Sequence, residues 1–256
     1  MTTQPREPVL EARGLVRRYG KIPALDGLNL ALAPGGAVAL LGANGSGKTT
    51  ALRCMAGELV PSEGEVRVAG ADPHAEPEGE AARRALAFVA DTPVFYRELT
   101  VGEHVRLVAA AFDDSEGVDR AETLLAELGL ASRLNARPHE LSSGQRQKVM
   151  LACVHARRFQ VLMLDEPVLR LDPGSQGWLR ERLSAHARSG VAIVLATHQP
   201  RFAKGLADRV VCLDEGRVVA DEPLATFLAR GADHEIGRPG TASPAAWFDA
   251  SVDEPE

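Results

Sequence analysis
The stretch Gly42-Ala43-Asn44-Gly45-Ser46-Gly47-Lys48-Thr49 decides how the rest of this chain is read. It fits G-x-x-x-x-G-K-[ST], after an apolar strand-like run (Ala37–Gly42) and at the head of a helix-like stretch (Lys48–Gly57). Glycines let such a loop turn tightly and aim successive N–H groups at phosphate oxygens. A helix starting near Lys48 adds the positive end of its dipole. Lys48 then reaches the β- and γ-phosphates, and the Thr49 hydroxyl can ligate Mg²⁺. The plainer alternative is a glycine turn with a solvated lysine. The strand–loop–helix setting favours a nucleotide site built from Gly42, Asn44, Gly45, Ser46, Gly47, Lys48, Thr49 and Thr50. Lysine is also scarce, only Lys21, Lys48, Lys148 and Lys204 among 29 basic residues, so one inside a motif is less easily an accident.

Val161-Leu162-Met163-Leu164-Asp165-Glu166-Pro167 is an apolar strand ending in two acids. In a parallel sheet its last residues arrive at the carboxyl edge, where the phosphate loop also lies. Asp165 is placed there to hold Mg²⁺, directly or through water. Glu166, one residue on and pointing the other way, is placed to polarise an attacking water. Two solvated acids at a strand end is the other reading. His198 follows the strand Val191–Ala196 and Thr197 to the same edge and reads as a γ-phosphate contact, although a lone histidine is usually structural.

Working outward, short apolar runs alternate with helix-like stretches, the α/β pattern of a mainly parallel sheet flanked by helices. Strands are expected over Leu10–Val16, Leu28–Ala33, Ala37–Gly42, Glu65–Ala69, Leu86–Asp91, Val161–Asp165, Val191–Ala196 and Val210–Leu213. Three of the early ones (Leu10–Val16, Leu28–Ala33, Glu65–Ala69) alternate and imply a partly separate antiparallel β layer. A hairpin turns at Asp214-Glu215-Gly216. Helices are expected over Val101–Phe112, Val118–Leu128, Gly144–Arg158, Pro173–Arg188 and Leu224–Ala229, with Gly129 stopping the second of these. With no strand between Val101 and Pro138, residues about 101–140 read as a helical insertion in a domain spanning 9–231, after an extension over 1–8. Residues 232–256 are rich in Pro, Gly, Ser, Ala and acids and read as a disordered tail, interrupted by Trp247 and Phe248.

The formal net charge of −6 argues against a nucleic-acid backbone as partner, because such domains carry a basic excess. Apolar runs of about seven residues fall far short of the ~20 of a spanning helix. Met1–Pro8 has no basic-then-apolar signal. Cys54, Cys153 and Cys212 form no C-x-x-C pair and read as reduced core residues of a cytoplasmic chain.

Leu141-Ser142-Ser143-Gly144-Gln145 opens an amphipathic helix 24 residues before Asp165. With the motifs above in this order and spacing, over about residues 9–230, it resembles the signature of the ABC ATPases, usually Leu-Ser-Gly-Gly-Gln. The resemblance implies a P-loop NTPase core with a mainly parallel sheet, an antiparallel β layer and a helical insertion. It implies ATP and Mg²⁺ as cofactors, and hydrolysis by two subunits that sandwich two ATPs head-to-tail. It further implies that Tyr19, by itself a surface tyrosine, stacks on adenine, and that Ser142, Gly144 and Gln145 contact an ATP held by the opposite subunit. A second anion site at a helix start, on a chain with one phosphate loop, agrees with such a dimer. A plain N-cap by Ser142 or Ser143 is the alternative.

Three positions depart from the family pattern. Asp91 stands where the family commonly has a Gln that touches Mg²⁺ and senses the membrane partner. A carboxylate can ligate Mg²⁺ but adds negative charge, so Asp91 joins Thr49 and Asp165 as an expected metal ligand. Leu169-Arg170-Leu171-Asp172 replaces a small-residue turn, putting a bulky charged Arg170 at a subunit contact, and Ser143 replaces a glycine. The expected catalytic residues Glu166, His198 and Lys48 are all kept. The resemblance implies separate membrane-spanning permease subunits docking around Asp91–His104, a second ATP-binding subunit (the same chain or another), and a peripheral place on the cytoplasmic face of the cell membrane. The short chain without an extra domain leans toward export. The competing expectation is a soluble ABC ATPase of a cytosolic assembly complex. Chromosome-type members need long coiled coils, and the ~93 residues from Thr49 to Ser142 leave no room for them.

Overall fold
Ala37–Leu41 (β3) has no polar residue and is buried along its whole length, as a strand covered on both faces must be. It lies in the computed structural model, which describes residues 7–233; the tail with Trp247 and Phe248, and the first six residues, lie outside. Before it come β1 (Leu10–Tyr19) and β2 (Ile22–Leu32). After it come α1 (Lys48–Met55), β4 (Glu63–Val68), α2 (Gly79–Ala85), β5 (Leu86–Val89), α3 (Val101–Ala111) and α4 (Gly117–Glu127). The chain continues through α5 (Ser143–His155), β6 (Val161–Asp165), α6 (Pro173–Arg188), β7 (Ala192–Thr197) and α7 (Pro200–Ala203). It closes with β8 (Arg209–Asp214), β9 (Arg217–Pro223) and α8 (Leu224–Asp233).

The main sheet runs β5-β6-β7-β3-β8-β9, parallel except for the last hairpin strand, and a separate antiparallel sheet runs β2-β1-β4. This is the expected α/β architecture with its antiparallel layer. Alternate residues of each central strand face different cores. Val161 and Met163 join α1 and the antiparallel sheet on one face, while Leu162 and Leu164 join α5, α6 and α8 on the other. A third apolar cluster ties α3 and α4 to Val149, Ala152 and Cys153 of α5. Helix starts are satisfied by side chains: Thr100 with Glu103 for α3, Ser142 with Gln145 for α5, and Asp172 for α6.

Several elements differ from the sequence expectation: β1 runs on to Tyr19, the short α7 carries no pattern that announces it, and β2 and α2 differ most. Strand β2 begins six residues earlier than Leu28, because Pro23, Asp26 and Gly27 hide its alternation behind the register shifts of its pairing with β1. Helix α2 was not expected at all: Gly-Glu-Ala-Ala-Arg-Arg-Ala carries no apolar period larger than alanine. The hairpin turns as expected, with φ +45° at Glu215 and +82° at Gly216, a pair of positive angles suited to a tight two-residue turn. All three cysteines are free and buried. Burial pushes the Cys54 thiol up to about 11 and those of Cys153 and Cys212 up to about 12.

Candidate functional site
Parallel pairing decides which residues meet. Asp165 ends β6 opposite Ala196 of β7, and Leu41 ends β3 opposite Thr197. The residues that follow each strand, Glu166, His198 and the phosphate loop, are therefore delivered to one edge. Strand β5 stops at Val89, opposite Leu164, so Asp91 stands in the next loop at the level of Glu166.

The loop from Gly42 to Gly47 is shaped by close approaches. A Cβ on Gly42 would lie 2.3 Å from Ser46 Oγ, and one on Gly47 2.5 Å from the Ala24 carbonyl. Ser46 is held from both sides: its N–H donates to the Ala43 carbonyl (3.1 Å), and its carbonyl accepts from Gly216 of the hairpin turn (3.0 Å). Lys48 is buried and donates to the carbonyls of Gly42 (2.7 Å) and Ala43 (3.1 Å), with its Nζ 3.6 Å from Glu166 Oε1. Those carbonyls are the partners a phosphate would displace.

Thr49 Oγ1 donates to Asp165 Oδ2 at 2.7 Å. Glu166 holds a left-handed backbone angle (φ +45°), strained for a non-glycine residue. That turn aims its carboxylate at His198, with Oε2 accepting from Nδ1 (2.9 Å) and the backbone N–H (3.3 Å). Burial is the chief reason the Asp165 carboxyl is held above the usual carboxylate range; the negative charges of Glu166 and Asp91 add to it, while the Thr49 hydrogen bond and Lys48 oppose it.

Three buried polar atoms here have no hydrogen-bond partner: Ser46 Oγ, Asp165 Oδ1 and Glu166 Oε1. Buried groups of this kind are costly unless something completes them. A hydroxyl and hard carboxylate oxygens beside a buried lysine and a helix start are the donors that a Mg²⁺–triphosphate would take up, so the residues fit that group. They border a cavity of about 510 Å³ that Asn44 to Thr50, Asp91, Asp165, Glu166 and His198 all line.

Not every expected residue comes here. Ser142, Gly144, Gln145 and Tyr19 do not line this cavity. Ser142 and Gln145 instead satisfy each other at the start of α5, with N–H to side-chain oxygen distances of 2.9 and 3.2 Å. A Cβ on Gly144 would lie 2.7 Å from the Arg170 carbonyl. Tyr19 is exposed, with the Arg17 guanidinium 5.0 Å from its ring centre. Asp91 lines the cavity, but its Oδ1 is taken by Arg170 Nη1 at 2.8 Å. Ala24 and the half-exposed Leu169 also line the cavity and were not anticipated; neither residue type carries a signal in sequence. Among the described residues no helix is long and apolar enough to cross a membrane.

A family model described as "ABC transporter" matches residues 25–169. A putative ABC transporter ATP-binding protein of Streptomyces avermitilis is 39% identical over 223 residues, which is 86% of this chain. The ABC-type transporter ATP-binding protein EcsA of Bacillus subtilis is 33% identical, covering 85% of this chain and 88% of its own length. The chain spans about two fifths of the length of two curated Streptomyces relatives, 39% and 43%. A solved dimeric ATP-binding cassette in a post-hydrolysis state, bound to ADP and Pi, superposes with a TM-score of 0.76 at 25% identity, covering 84% of this chain and 98% of that one. Relatives named for export and relatives named for import both match.

Proposed function
This chain belongs to the ABC transporter family, and from that membership we propose that it is an ATP-binding, ATP-hydrolysing subunit that dimerises on ATP and drives transport through separate membrane-spanning subunits. The observation that carries the reading is the meeting of Thr49 and Lys48 with Asp165 and Glu166 around one cavity, with three buried oxygens that make no hydrogen bond. In this reading the triphosphate lies along the N–H groups of residues 42–49, Lys48 exchanges its loop carbonyls for β- and γ-phosphate oxygens, and Thr49 and Asp165 hold Mg²⁺. The metal, when bound, offsets charge on the β- and γ-phosphate oxygens.

Glu166 is the general base. Water attacks the γ-phosphorus as its proton passes to Glu166, the bond from the γ-phosphorus to the β–γ bridging oxygen breaks, and ADP leaves with the electron pair. His198 fixes Glu166 through Nδ1, and its other ring nitrogen is the group this reading assigns to the γ-phosphate. Ser142, Gly144 and Gln145 serve the ATP of the other subunit, which agrees with their standing outside this chain's own cavity. The exposed Val94 and Tyr96, in the loop between Asp91 and α3, offer apolar surface to a membrane subunit at the cytoplasmic face. The direction of transport follows from which side of a reconstituted vesicle gains substrate when ATP is supplied outside.

Glu166→Gln keeps the shape and removes the base. Its ATP affinity should stay near that of the wild type, while turnover falls by about 10²–10⁴. Near-normal ATPase activity in this variant would refute the assignment. Co-purification with a membrane protein from detergent extracts tests the transport half of the reading; recovery only from the soluble fraction, with its natural neighbours co-expressed, counts against it.

A further inference from the structure
Two of the three residues that depart from the family pattern meet in space although 79 positions separate them. Arg170 Nη1 donates to Asp91 Oδ1 (2.8 Å) and also to the Asp91 carbonyl, while Asp91 Oδ2 accepts from Thr92 Oγ1 (3.3 Å). Both carboxylate oxygens of Asp91 are therefore engaged, whereas Asp165 Oδ1 has no hydrogen-bond partner and Glu166 Oε1 has only the Lys48 ammonium, 3.6 Å away. Without Arg170 the cavity wall would carry three carboxylates, Asp91, Asp165 and Glu166, against Lys48 alone.

We infer that Arg170 is a positioning residue that holds Asp91 and cancels its charge beside the metal-holding pair Thr49 and Asp165, so that the two unusual residues act as one near-neutral unit; this rests on the nucleotide and metal site proposed above. The pair is partly buried, with side chains 29% and 39% exposed, so solvent screens it only in part. Arg170 is also fixed from behind. Its carbonyl stands against Gly144, and two residues on Asp172 accepts from Lys148 of α5 at 2.9 Å. The turn that follows Glu166 thus reaches the Asp91 loop through a side chain and the head of α5 through its backbone.

The test is electron paramagnetic resonance of Mn²⁺ bound to the full chain with a non-hydrolysable ATP analogue, in wild type, Arg170→Ala, Asp91→Gln, the double variant and Arg170→Lys. Arg170→Ala exposes the Asp91 charge to the cation and should tighten Mn²⁺ binding about tenfold. Asp91→Gln leaves Arg170 as an unpaired cation and should weaken it by about the same factor. The double variant and Arg170→Lys should both return to within about threefold of wild type. A double variant whose shift is the larger of its parents', or Arg170→Ala with unchanged Mn²⁺ affinity, overturns the inference while leaving the site itself standing. Wild type that binds no Mn²⁺ with nucleotide overturns the site and the inference together. Arg170→Lys separates charge from shape if Arg170→Ala folds poorly: a Lys variant displaced as far as alanine would also overturn the inference.

Discussion
Replacing Gly47 by alanine, with Gly45→Ala beside it as reference, weighs the two ways a loop glycine can be required. Gly45 sits at φ +83° with nothing within 4 Å of an added Cβ, so alanine there meets only the left-handed backbone. That costs about 1–2 kcal/mol, offset by about 0.4–1 kcal/mol from a stiffer unfolded chain. The net of about 1 kcal/mol lowers Tm by roughly 2–4 °C in a chain of this size. Gly47 sits at φ +104° and its Cβ would lie 2.5 Å from the Ala24 carbonyl and 3.3 Å from Gly216 Cα. Both neighbours are backbone, so the clash must be relieved by moving β2 or the hairpin turn, adding about 1–3 kcal/mol. Gly47→Ala should then cost about 2–4 kcal/mol, a Tm drop of roughly 4–16 °C. Because the same movement displaces Ser46, clasped by Gly216, affinity for a fluorescent ATP analogue should also collapse, while Gly45→Ala keeps most of it. Thermal unfolding without nucleotide and a titration of the analogue read both numbers. Equal Tm shifts and equal affinities in the two variants would refute the claim that close backbone approach, and not the positive angle alone, dictates glycine at position 47.

Two further outcomes follow from buried titrating groups. Asp165 has its folded-state pKa raised chiefly by burial, so the folded chain holds a proton that the unfolded chain has already released, and stability falls as pH rises through that window. At pH 7 the bare charge is a cost. Asp165→Asn should raise the Tm of the nucleotide-free protein by about 2–4 °C while abolishing Mg²⁺-dependent turnover, and a lowered Tm would contradict this. His155 is buried, with Nδ1 2.6 Å from the Leu151 carbonyl and Nε2 2.8 Å from His186 Nε2, and desolvation holds its pKa down to about 4. Here the unfolded chain takes up the proton first, so stability falls as pH drops below about 6.5, by roughly 1.4 kcal/mol at pH 5.5. Urea unfolding at pH 8 and 5.5 measures it; the same pH dependence in His155→Gln would rule His155 out as its source.

What could be read from the chain in advance was whatever a local pattern encodes. The octet at Gly42 and the apolar run into Asp165 each carry their chemistry within a few residues and each takes its expected element, while Ser142 forms the N-cap that was the plainer of its two readings. Strand β2 and helix α2 were harder, the first because bulges break its alternation and the second because alanine and arginine carry almost no periodic signal. The partnership of Asp91 with Arg170 depends on which strand ends lie side by side. Each residue alone reads as an anomaly, and only the parallel register of β5 with β6 makes them neighbours. The cavity positions of Ala24 and Leu169 are of the same kind, fixed by where backbone passes and not by side-chain type.

Helix α5 has a mechanical consequence. One face packs with α3 and α4 through Val149, Ala152 and Cys153, the other with the sheet's cover through Leu151 and Val154. Its 13 residues make a rod of about 20 Å, with Ser142 at one end beside the Arg170 turn and the buried His155 at the other. Pivoting that rod by about 10° at His155 would swing Ser142 through roughly 3 Å, about one hydrogen-bond length. A tilt of that size is enough to make or break one hydrogen bond at Ser142, but it must carry the buried Leu141 and the Gly144–Arg170 contact with it, so the head of α5 and the turn after Glu166 move as one piece.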